Sequence, residues 1–570
     1  MNFDVIIVGG GPAGSTLAGM LMKYRPGSNV LVLERAHFPR FHVGETLVTE
    51  LNRTLQELGV YEQLEGSDFI RKMGATFVWG KSDEPWDMLF GDFERIEHVE
   101  TGHGSVQTTW SWHVERSRYD DVLLRHAASL GASVQEGTGV TDLTRDENGR
   151  VTGVHTDQGE SHTARWVIDA TGQQGLAGSL ADREMDPVLQ NIAYGTYWKG
   201  AKLLEDWNGN LDASRAFIVA HPQGWSWVFP VRKDLVSVGL VTSLDAHRNR
   251  EDQDPEAFVR KAIAESPHLS RILDGAELSE GPQNTRVRVS TDFSYTSRSI
   301  VQPGLIRLGD AAGFVDPILS VGCFLGQSFA RFLAYGLNTI LSSDGRVDED
   351  RALGAYEHQV RDTLASFREL TYFFYRFNQS PDDWWAHARE LVASTAMPSA
   401  ASDREAFLAF ATGFAAHGSV WREPGAFFGQ DFFVDLYTRF VPAASNEPAA
   451  APPLSLEDIV LLRADPTLTD SAVPLEGEGR LAPSTRIEVG VGEPGESRRI
   501  RRMQVPVAMG ELFPLIDGEA TLTQIGDSFV DKKGIDAAHR GSLNRYILWI
   551  AQSLVDRDLA TCITPRTAAP

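Results

Sequence analysis

The stretch Phe314–Cys323 has the residue types and spacing best suited to hold a reacting anion. It follows a predicted strand that ends in Gly309-Asp310, carries Pro317, and leads into a long apolar helix predicted from about Phe324. The first N–H groups of a helix have no partner within the helix, so a turn of this kind is a ready anion site. One candidate anion is the pyrophosphate of a bound cofactor, and the other is a halide.

The N-terminus contains the elements of a dinucleotide-binding fold in the right order. Asp4–Val8 is a short apolar, β-branched run of the kind that forms a buried parallel strand. It is followed by Gly9, Gly11 and Gly14, a spacing that permits a tight turn, close approach to a pyrophosphate and helix packing. A predicted helix and a second strand then end at Glu34, which is placed to bond a ribose hydroxyl. The early start of this unit favours FAD as the dinucleotide.

The loop Arg35–Thr46 supplies further groups that can contact a ligand. Arg40 and His42 are hydrogen-bond donors, and Gly44 permits close backbone approach. A solvated basic loop is the alternative for this segment. Arg116 lies at the start of a predicted helix, where it could meet phosphate or ribose.

Lys72 and a pair of tryptophans are the remaining chemical candidates. Lys72 stands at the entry to the predicted strand Thr76–Trp79, and by position alone a lysine there is most often a solvated surface residue. Trp225 and Trp227 lie at the predicted strand Ser226–Phe229.

The elements that must position these residues indicate an α/β protein of several domains. We predict an FAD-binding Rossmann-type core over residues 1–340, with an antiparallel sheet inserted at about 185–300. A helical, aromatic-rich region would cover the substrate over 341–445, either as core packing or as a lid. A Pro- and Ala-rich linker at 446–455 would precede a small winged-helix-like α+β module over 456–570.

Composition narrows the function classes. The net charge is −24, which argues against nonspecific binding to nucleic acid or anionic membranes. No stretch approaches the roughly 20 apolar residues that span a bilayer, and the N-terminus has no basic leader. The two cysteines, Cys323 and Cys562, give neither a disulfide framework nor a zinc spacing. These features predict a cytoplasmic enzyme with no metal site.

Taken together, residues 1–440 resemble the flavin-dependent halogenases, which share the fold of the single-component aromatic hydroxylases. Three features carry the resemblance: Lys72 in its Arg-Lys-Met-Gly-Ala-Thr context, the Trp-x-Trp of Gly224–Pro230, and the Phe-x-x-Pro-x-x-Ser-x-Gly pattern at Phe314, Pro317, Ser320 and Gly322. The C-terminal extension and Thr291–Tyr295 look most like the chloramphenicol-pathway halogenase group.

The resemblance implies a reaction and a set of site residues. Reduced FAD and O2 would form a C4a-hydroperoxide that chloride, held by Val321 and Gly322, converts to hypochlorous acid. Lys72 would pass electrophilic chlorine to the substrate, with Ser320 as a further catalytic residue, while Trp225 and Trp227 separate flavin from substrate. The implied cofactor-binding residues are Gly9, Gly11, Pro12, Ala13, Gly14, Glu34, Arg35, Arg40, Gly44, Glu45, Arg116, Asp292, Asp310, Pro317 and Gly322. The implied partner is a flavin reductase that supplies FADH2.

One departure bears on the substrate. Tryptophan halogenases place a glutamate immediately before the serine of this stretch, where this chain has Leu319. The resemblance therefore points to an activated phenol, pyrrole or enolisable acyl substrate rather than free tryptophan. Asp292 is a candidate for a covalent link to the flavin, with a simple hydrogen bond near the ring as the alternative. The basic segment Glu496–Arg502 is a candidate docking site for a substrate-bearing carrier protein, with a solvated strand face as the alternative.

Other interpretations remain open at this point. A flavin hydroxylase or epoxidase of the same fold would lack a use for Lys72 and the tryptophan pair. An alkene-reducing flavoprotein, similar to geranylgeranyl reductases, is a third possibility within the fold. A non-enzymatic flavin-binding or carrier-docking protein is a fourth.

Overall fold

The computed structural model describes two main portions of the chain. The first comprises residues 2–376, except 81–83, 91–97, 102–103, 108, 177–179, 203–213, 251–252, 281–285 and 343–346. The second comprises 454–455, 457–462, 467–475, 478–491, 499–506, 512–533, 543–544, 547–548, 550–552, 555 and 560–562. The predicted linker at 446–455 and most of the aromatic-rich region, including Trp384, Trp385 and Phe427, therefore fall largely or wholly outside the described residues.

The secondary structure alternates strands and helices along most of the first portion. The helices are α1 Pro12–Tyr24, α2 Leu51–Leu58, α3 Tyr61–Glu65, α4 Arg116–Ser129, α5 Leu244–Arg248, α6 Pro255–Glu265, α7 Pro267–Ile272, α8 Gly322–Ser342, α9 Glu349–Arg376 and α10 Leu522–Lys533. The strands before residue 180 are β1 Asn2–Val8, β2 Val30–Glu34, β3 Ile70–Lys72, β4 Gly74–Val78, β5 Trp86–Leu89, β6 His98–Thr101, β7 Gly104–Gln107, β8 Ser111–His113, β9 Ser133–Glu136, β10 Val140–Arg145, β11 Val151–Thr156 and β12 Ser161–Asp169. The later strands are β13 Arg183–Lys199, β14 Arg215–His221, β15 Gly224–Arg232, β16 Leu235–Ser243, β17 Glu277–Ser279, β18 Arg288–Ser297, β19 Val301–Gln302, β20 Leu305–Arg307, β21 Gly313–Phe314, β22 Ile459–Leu462, β23 Thr467–Leu475, β24 Arg480–Val491, β25 Arg499–Pro506, β26 Asp517–Thr521 and β27 Ala560–Cys562.

The first sheet has the parallel centre that the N-terminal pattern predicts. Its order is β10-β11-β12-β1-β2-β9, with β20 beside β12 and β19 beside β20. β1 runs parallel to both β2 and β12, and its residues Val5–Val8 are buried. Helix α1 begins shortly after β1 ends, so its N-terminus lies at the carboxyl edge of the sheet. Its apolar side chains are part of the main hydrophobic core.

The second sheet contains the predicted antiparallel insert together with two earlier strands, β4 and β5. Its order is β21-β18-β13-β16-β15-β14-β4-β5, with β17 beside β13. The strands between residues 183 and 297 pair antiparallel with one another, as predicted. Outside the insert, β4 pairs parallel to β14. The sheet therefore also recruits a segment that precedes the insert and that carries Lys72 at its edge.

Part of the C-terminal region packs on the helices that follow the core. The backbone N–H of Leu481 donates to Thr339 Oγ1 of α8 at 2.8 Å, and the Asn338 side-chain amide donates to the Gly479 carbonyl at 2.7 Å. Arg486 forms an ion pair with Asp362 of α9 at 2.7 Å. The three-stranded sheet β26-β22-β27 packs with α10 around a separate cluster of apolar side chains. The winged-helix-like arrangement of this module and the domain limits stay predictions.

The helices of the described residues include none that is both long and apolar enough to cross a membrane.

Candidate active site

The glycines of the first turn are required by close backbone packing. Gly9 has a φ of +113°, and a Cβ placed on it would lie 2.3 Å from the Ala170 carbonyl oxygen. A Cβ on Gly14 would lie 2.0 Å from the carbonyl oxygen of Gly9. Pro12 is the first residue of α1, where a missing N–H costs nothing. The helix N-terminus is thus held against the strand ends with its first N–H groups facing outward, the geometry that accepts a pyrophosphate.

Glu34 is buried at the end of β2 and holds the glycine turn. One of its carboxylate oxygens accepts the backbone N–H of Gly10 at 2.8 Å. Arg40 lies between Glu34 and Asp120, at 3.9 Å and 3.7 Å from their carboxylates. A Cβ on Gly11 would lie 3.2 Å from the Arg40 guanidinium. The structure therefore brings the predicted ribose acid and the predicted donor Arg40 to the turn itself.

Arg116 and Gly44 adjoin the residues at the glycine turn through Asp120, which also lies beside Arg40. The Arg116 guanidinium donates to both carboxylate oxygens of Asp120, at 2.7 Å and 3.0 Å, and to the carbonyl of Val43 at 2.6 Å. A Cβ on Gly44 would lie 3.0 Å from it. These bonds use most of the donors of Arg116, so its main contribution is to fix the Gly44 loop, and the predicted phosphate contact stays a prediction. The Cys323 thiol donates weakly to the Gly44 carbonyl at 3.9 Å.

The Gly309-Asp310 turn joins α1 to the start of α8. A Cβ on Gly309 would lie 3.2 Å from the Cβ of Ala13, and one on Gly326 would lie 3.3 Å from that same atom. The Asp310 carbonyl accepts the hydroxyl of Tyr295 at 2.6 Å. Burial raises the pKa of the Asp310 carboxyl to about 6. The first turn of α1, this turn and the first two turns of α8 therefore meet at Ala13.

Three further residues predicted to contact the cofactor are Glu45, Arg35 and Asp292, and their surroundings differ. Glu45 is buried, accepts the Gly44 backbone N–H at 3.0 Å and accepts the hydroxyl of Tyr197 from the second sheet. Burial raises its pKa. Arg35 is exposed and donates to Gln174. The backbone of Asp292 pairs with Asn191 on β18 and β13, but its side chain lies outside the described residues.

The predicted halide seat has an unusual backbone. Ser320 has a φ of +58°, a left-handed conformation that among the described non-glycine residues occurs only there. It ends a single 3-10 turn that begins at Pro317, and α8 begins at Gly322. Val321 is buried, whereas Gly322 is exposed. The left-handed residue turns the chain into α8, whose first N–H groups point out of the helix end. Leu319 is buried among apolar side chains.

Lys72, the predicted catalytic residue, is a buried side chain at the end of β3. It is 3% exposed, and its ammonium donates to the Leu47 carbonyl at 3.1 Å. The same ammonium lies 5.4 Å from the centre of the Phe90 ring. Burial lowers the pKa of Lys72 to about 7. The simple expectation of a solvated surface lysine is therefore wrong, and the amine is available in its neutral form near neutral pH.

A row of aromatic rings connects the surroundings of Lys72 to the halide seat. Trp225, Trp227 and Phe229 share one face of β15, and adjacent rings lie 6.1 Å and 6.0 Å apart. Phe229 stacks on His113 of β8 at 6.0 Å. Gly239 leaves room for the Trp227 indole, since a Cβ there would lie 2.0 Å from that ring. Trp225 and Trp227 are both buried, so the pair is a wall rather than a surface patch.

A buried carboxyl at the end of this row was missed by the sequence analysis. Asp316 accepts hydrogen bonds from the Asn191 amide at 2.9 Å and the Tyr375 hydroxyl at 3.1 Å. Tyr375 in turn accepts the indole N–H of Trp225 at 2.5 Å. Burial raises the pKa of Asp316 to about 7. The only sequence signal was an Asp-Pro pair inside the halide stretch, because its partners lie far away along the chain.

We expect the Asp316→Ala substitution to destabilise the protein by about 2 kcal/mol, because it removes the acceptor of the buried Asn191 amide and of the half-buried Tyr375 hydroxyl. Denaturant-induced unfolding of the flavin-loaded protein measures this. Asp316→Asn, which keeps a carbonyl oxygen, should cost less. Equal losses for the two variants would show that the hydrogen bonds contribute little.

The arrangement fits a bound FAD. The glycine turn, Glu34, the Gly44 loop and the Gly309-Asp310 turn converge on one cradle, and any side chain at Gly9 or Gly14 would collide with backbone. The second sheet closes this cradle through the contact of Tyr197 with Glu45. The aromatic row links the halide stretch to the strand beside Lys72, because Trp225 bonds to Tyr375, Tyr375 bonds to Asp316, and Phe229 stacks on His113 of β8, which pairs with β3.

Comparison with known proteins agrees with this geometry. Residues 4–104 and 92–446 match the tryptophan halogenase family model. The chain is 32% identical over 397 residues to tryptophan 2-halogenase from Chondromyces crocatus, covering 68% of this chain and 70% of that protein. It is 31% identical over 400 residues to 1H-pyrrole-2-carbonyl-[peptidyl-carrier protein] chlorinase from Pseudomonas fluorescens, covering 66% of this chain and 84% of that protein.

Solved structures extend the likeness over nearly the whole length. The myxobacterial chondrochloren halogenase CndH, an FAD-dependent halogenase, superimposes with a TM-score of 0.60 at 31% identity, covering 67% of this chain and 84% of its own. The flavin-dependent halogenase CmlS superimposes with a TM-score of 0.65 at 25% identity, covering 99% of this chain and 96% of its own. The match with CmlS includes the region beyond residue 446.

Proposed function

This chain belongs to the flavin-dependent halogenase family, and from that premise we propose that it is a chlorinating enzyme of secondary metabolism in which Lys72 delivers electrophilic chlorine to an electron-rich substrate. Bound FAD, once reduced, supplies together with O2 the oxidising power that converts chloride to hypochlorous acid. The family uses FAD, O2 and a halide.

The cradle residues hold the cofactor, and the halide seat supplies chloride beside it. The α1 N-terminus and the glycine turn face the pyrophosphate, with Glu34 at the ribose. The α8 N-terminus, which is exposed at Gly322, offers N–H groups to chloride. The strained Ser320 sets the direction of these N–H groups.

The observation that carries the proposal is the state of Lys72. A buried amine with a pKa of about 7 is partly neutral at physiological pH, whereas an exposed lysine is almost fully charged. The neutral amine can attack hypochlorous acid, forming an N–Cl bond with release of water. The chlorine is then bound to a fixed side chain and cannot diffuse away before the substrate reacts.

The aromatic row separates the two half-reactions. Trp225 and Trp227 are buried side by side between the segment of the halide seat and the neighbourhood of Lys72. Their bulk keeps an organic substrate away from the flavin and so suppresses direct hydroxylation. Hypochlorous acid, which is much smaller than the organic substrate, travels from the halide seat to Lys72.

We further propose that the substrate is a phenol, a pyrrole or an enolisable acyl group, with a carrier protein as one means of presenting it. Leu319 is apolar and buried, so no carboxylate at that position can stabilise a cationic ring intermediate. A relative that bears the name of a carrier-bound pyrrole chlorinase supports this choice, but another bears the name of a tryptophan halogenase. Free tryptophan therefore belongs in the test.

The purified protein with a flavin reductase, NADH, O2 and chloride should chlorinate a phenol and a pyrrole-2-carboxyl probe at least about tenfold faster than free tryptophan, a difference of about 1.4 kcal/mol in activation free energy. Product mass spectra at equal substrate concentration measure the rates. Presenting the pyrrole both as a free thioester and on a carrier protein separates the two modes of delivery. Chlorination of tryptophan at the rate of the best probe would contradict the argument from Leu319.

The remaining predictions concern partners and location. A separate reductase supplies FADH2, and the chain acts in the cytoplasm. Covalent attachment of flavin at Asp292 stays a prediction. Docking of an acidic carrier at Glu496–Arg502 also stays a prediction, because residues 496–498 and the side chains of β25 lie outside the described residues.

A further inference from the structure

His113, at the end of β8, is a buried imidazole with unused hydrogen-bonding capacity. Its exposure is 0%, and within the described parts of the chain neither ring nitrogen has a hydrogen-bond partner. An unsatisfied buried polar group costs about 1–3 kcal/mol. Histidines elsewhere in the fold pair their nitrogens at least in part: His126 bonds to the Leu58 carbonyl, and His162 to Glu160. Because both ring nitrogens of His113 are unsatisfied, the presence of a histidine at this position calls for a functional explanation.

The strand register places His113 next to Lys72. In the β3–β8 pair, Lys72 lies opposite Ser111 and Ile70 lies opposite His113. Residues two apart on a strand face the same side, so Lys72 and His113 are diagonal neighbours on one face, typically about 7–8 Å apart. Lys72 and His113 both contact the segment Thr46–Leu47. The Lys72 ammonium donates to the Leu47 carbonyl, and the backbone of His113 forms a β-bridge with Thr46.

The imidazole is held in place by its ring rather than by its nitrogens. It stacks on Phe229 with an interplanar angle of 27°. Phe229 is the last member of the row that begins at Trp225. The hydroxyl of Thr46, whose backbone forms a β-bridge with His113, is also buried and has no hydrogen-bond partner within the described residues. His113 and Thr46 therefore hold three buried polar atoms without a partner among the described residues.

We propose that His113 is a further catalytic residue, which takes the proton that Lys72 must lose before it can bind chlorine and returns that proton during turnover. This inference rests on the proposed role of Lys72. It assigns the proton transfer to a residue of this chain instead of to bulk water.

The proton balance closes over one cycle. The imidazole first takes a proton from the Lys72 ammonium. The free amine attacks the chlorine of hypochlorous acid, so the N–Cl bond forms, the Cl–O bond breaks and hydroxide leaves. The imidazolium protonates the hydroxide to water, and the imidazole then takes the second proton from the chlorinated nitrogen.

Transfer to the substrate restores the starting state. The aromatic carbon attacks the chlorine, so the C–Cl bond forms and the N–Cl bond breaks. The departing nitrogen takes the proton of the imidazolium, and the resulting amine takes the proton that leaves the ring. Lys72 is then an ammonium and His113 a neutral imidazole.

Electrostatics allows the pair one cation at a time, and the proton rests on Lys72, the stronger base, so the imidazolium forms only transiently. Burial lowers the pKa of His113 well below its ordinary value, and the charge of Lys72 adds to this effect. Burial is also the cause of the lowered pKa of Lys72. Passing one proton between the two groups keeps the charge of the pocket constant, whereas the presence of both cations at once is disfavoured.

The test uses the flavin-loaded enzyme in a single turnover with chloride, O2 and a phenol probe. His113→Gln keeps a polar side chain that cannot titrate, and we expect it to lower chlorination by about tenfold at pH 6, where only about a tenth of Lys72 is neutral without help from a base. Mass spectrometry of the Lys72 peptide, in a reaction without the probe, should show a matching loss of N-chlorinated lysine. The deficit should shrink as the pH rises above 7, because Lys72 is then neutral without help.

His162→Gln is the matched control, because His162 is also buried and has one nitrogen without a partner within the described residues, but lies on β12. It should leave both readouts unchanged. His113→Asn serves as a second variant, and only variants that bind FAD and oxidise FADH2 at the wild-type rate are compared. Wild-type N-chlorination in both His113 variants would overturn the inference. Wild-type chlorination of the probe by Lys72→Ala would overturn the proposed function instead.

Discussion

Lys72→Ala should lower chlorination of a phenol or pyrrole probe by on the order of 1,000-fold, while FADH2 oxidation continues at the wild-type rate. Lys72 bonds to Leu47 and lies against Phe90, and neither contact belongs to the FAD cradle. Removing the amine therefore stops delivery of chlorine but leaves the oxidation of chloride intact. Product mass spectra give the first rate, and flavin absorbance gives the second.

The fate of the oxidant distinguishes this result from a folding defect. Hypochlorous acid that Lys72 no longer captures should appear in solution, where a chlorine-trapping dye detects it. Lys202→Ala, at an exposed lysine paired with Asp274, is the control and should behave as wild type. A loss of FADH2 oxidation in Lys72→Ala would place the lysine in the cofactor site and contradict its assignment.

The pH dependence of the wild type follows from the same residue. Because the reactive form is the neutral amine and the pKa of Lys72 is about 7, chlorination should fall below pH 7 and level off above it. The fall should reach about tenfold for each pH unit in His113→Gln, where no neighbouring base takes the proton, and should be shallower in the wild type. Asp316 also has a pKa of about 7. The profile of Asp316→Asn should keep the same midpoint if Lys72 is the group that titrates.

Gly14→Ala should weaken FAD binding by about 100-fold. The added Cβ would lie 2.0 Å from the Gly9 carbonyl oxygen, so α1 must move away from the turn whose N–H groups face the pyrophosphate. Titration of the apoprotein with FAD, followed by flavin fluorescence, measures the affinity.

Gly354→Ala provides the control for the glycine prediction. Gly354 lies in α9, and a Cβ there meets nothing within 4 Å. It should bind FAD as the wild type does. Wild-type affinity in Gly14→Ala would mean that the turn at Gly9–Gly14 does not hold the cofactor.

The local parts of the fold could be predicted from the sequence. The strand, turn and helix around Gly9 and Gly14 are fixed by neighbours in the chain, and the structure has them where the pattern indicates. The strand predicted at Ser226–Phe229 is likewise present, as part of β15. Each of these features depends on spacing over a few residues.

The state of the side chains could not be predicted, because it depends on distant contacts. Lys72 is buried by Leu47, Phe90 and the strand that ends at His113, and position in the sequence suggested a surface lysine. Asp316 is tied to Tyr375, 59 residues away, and Tyr375 to Trp225, 150 residues away. The parallel pairing of β4 with β14 joins segments separated in the same way. Local periodicity carries no information about such pairings.

The central claim is that the chain transfers chlorine rather than oxygen. The most direct test is the product mass spectrum after reaction of a phenol probe with the purified protein, a flavin reductase, NADH, O2 and chloride. We predict that hydrogen is replaced by chlorine, with the chlorine isotope pattern, and that the product disappears when chloride is omitted. A product that gains one oxygen and no chlorine, formed equally without chloride, would identify a hydroxylase and contradict the account.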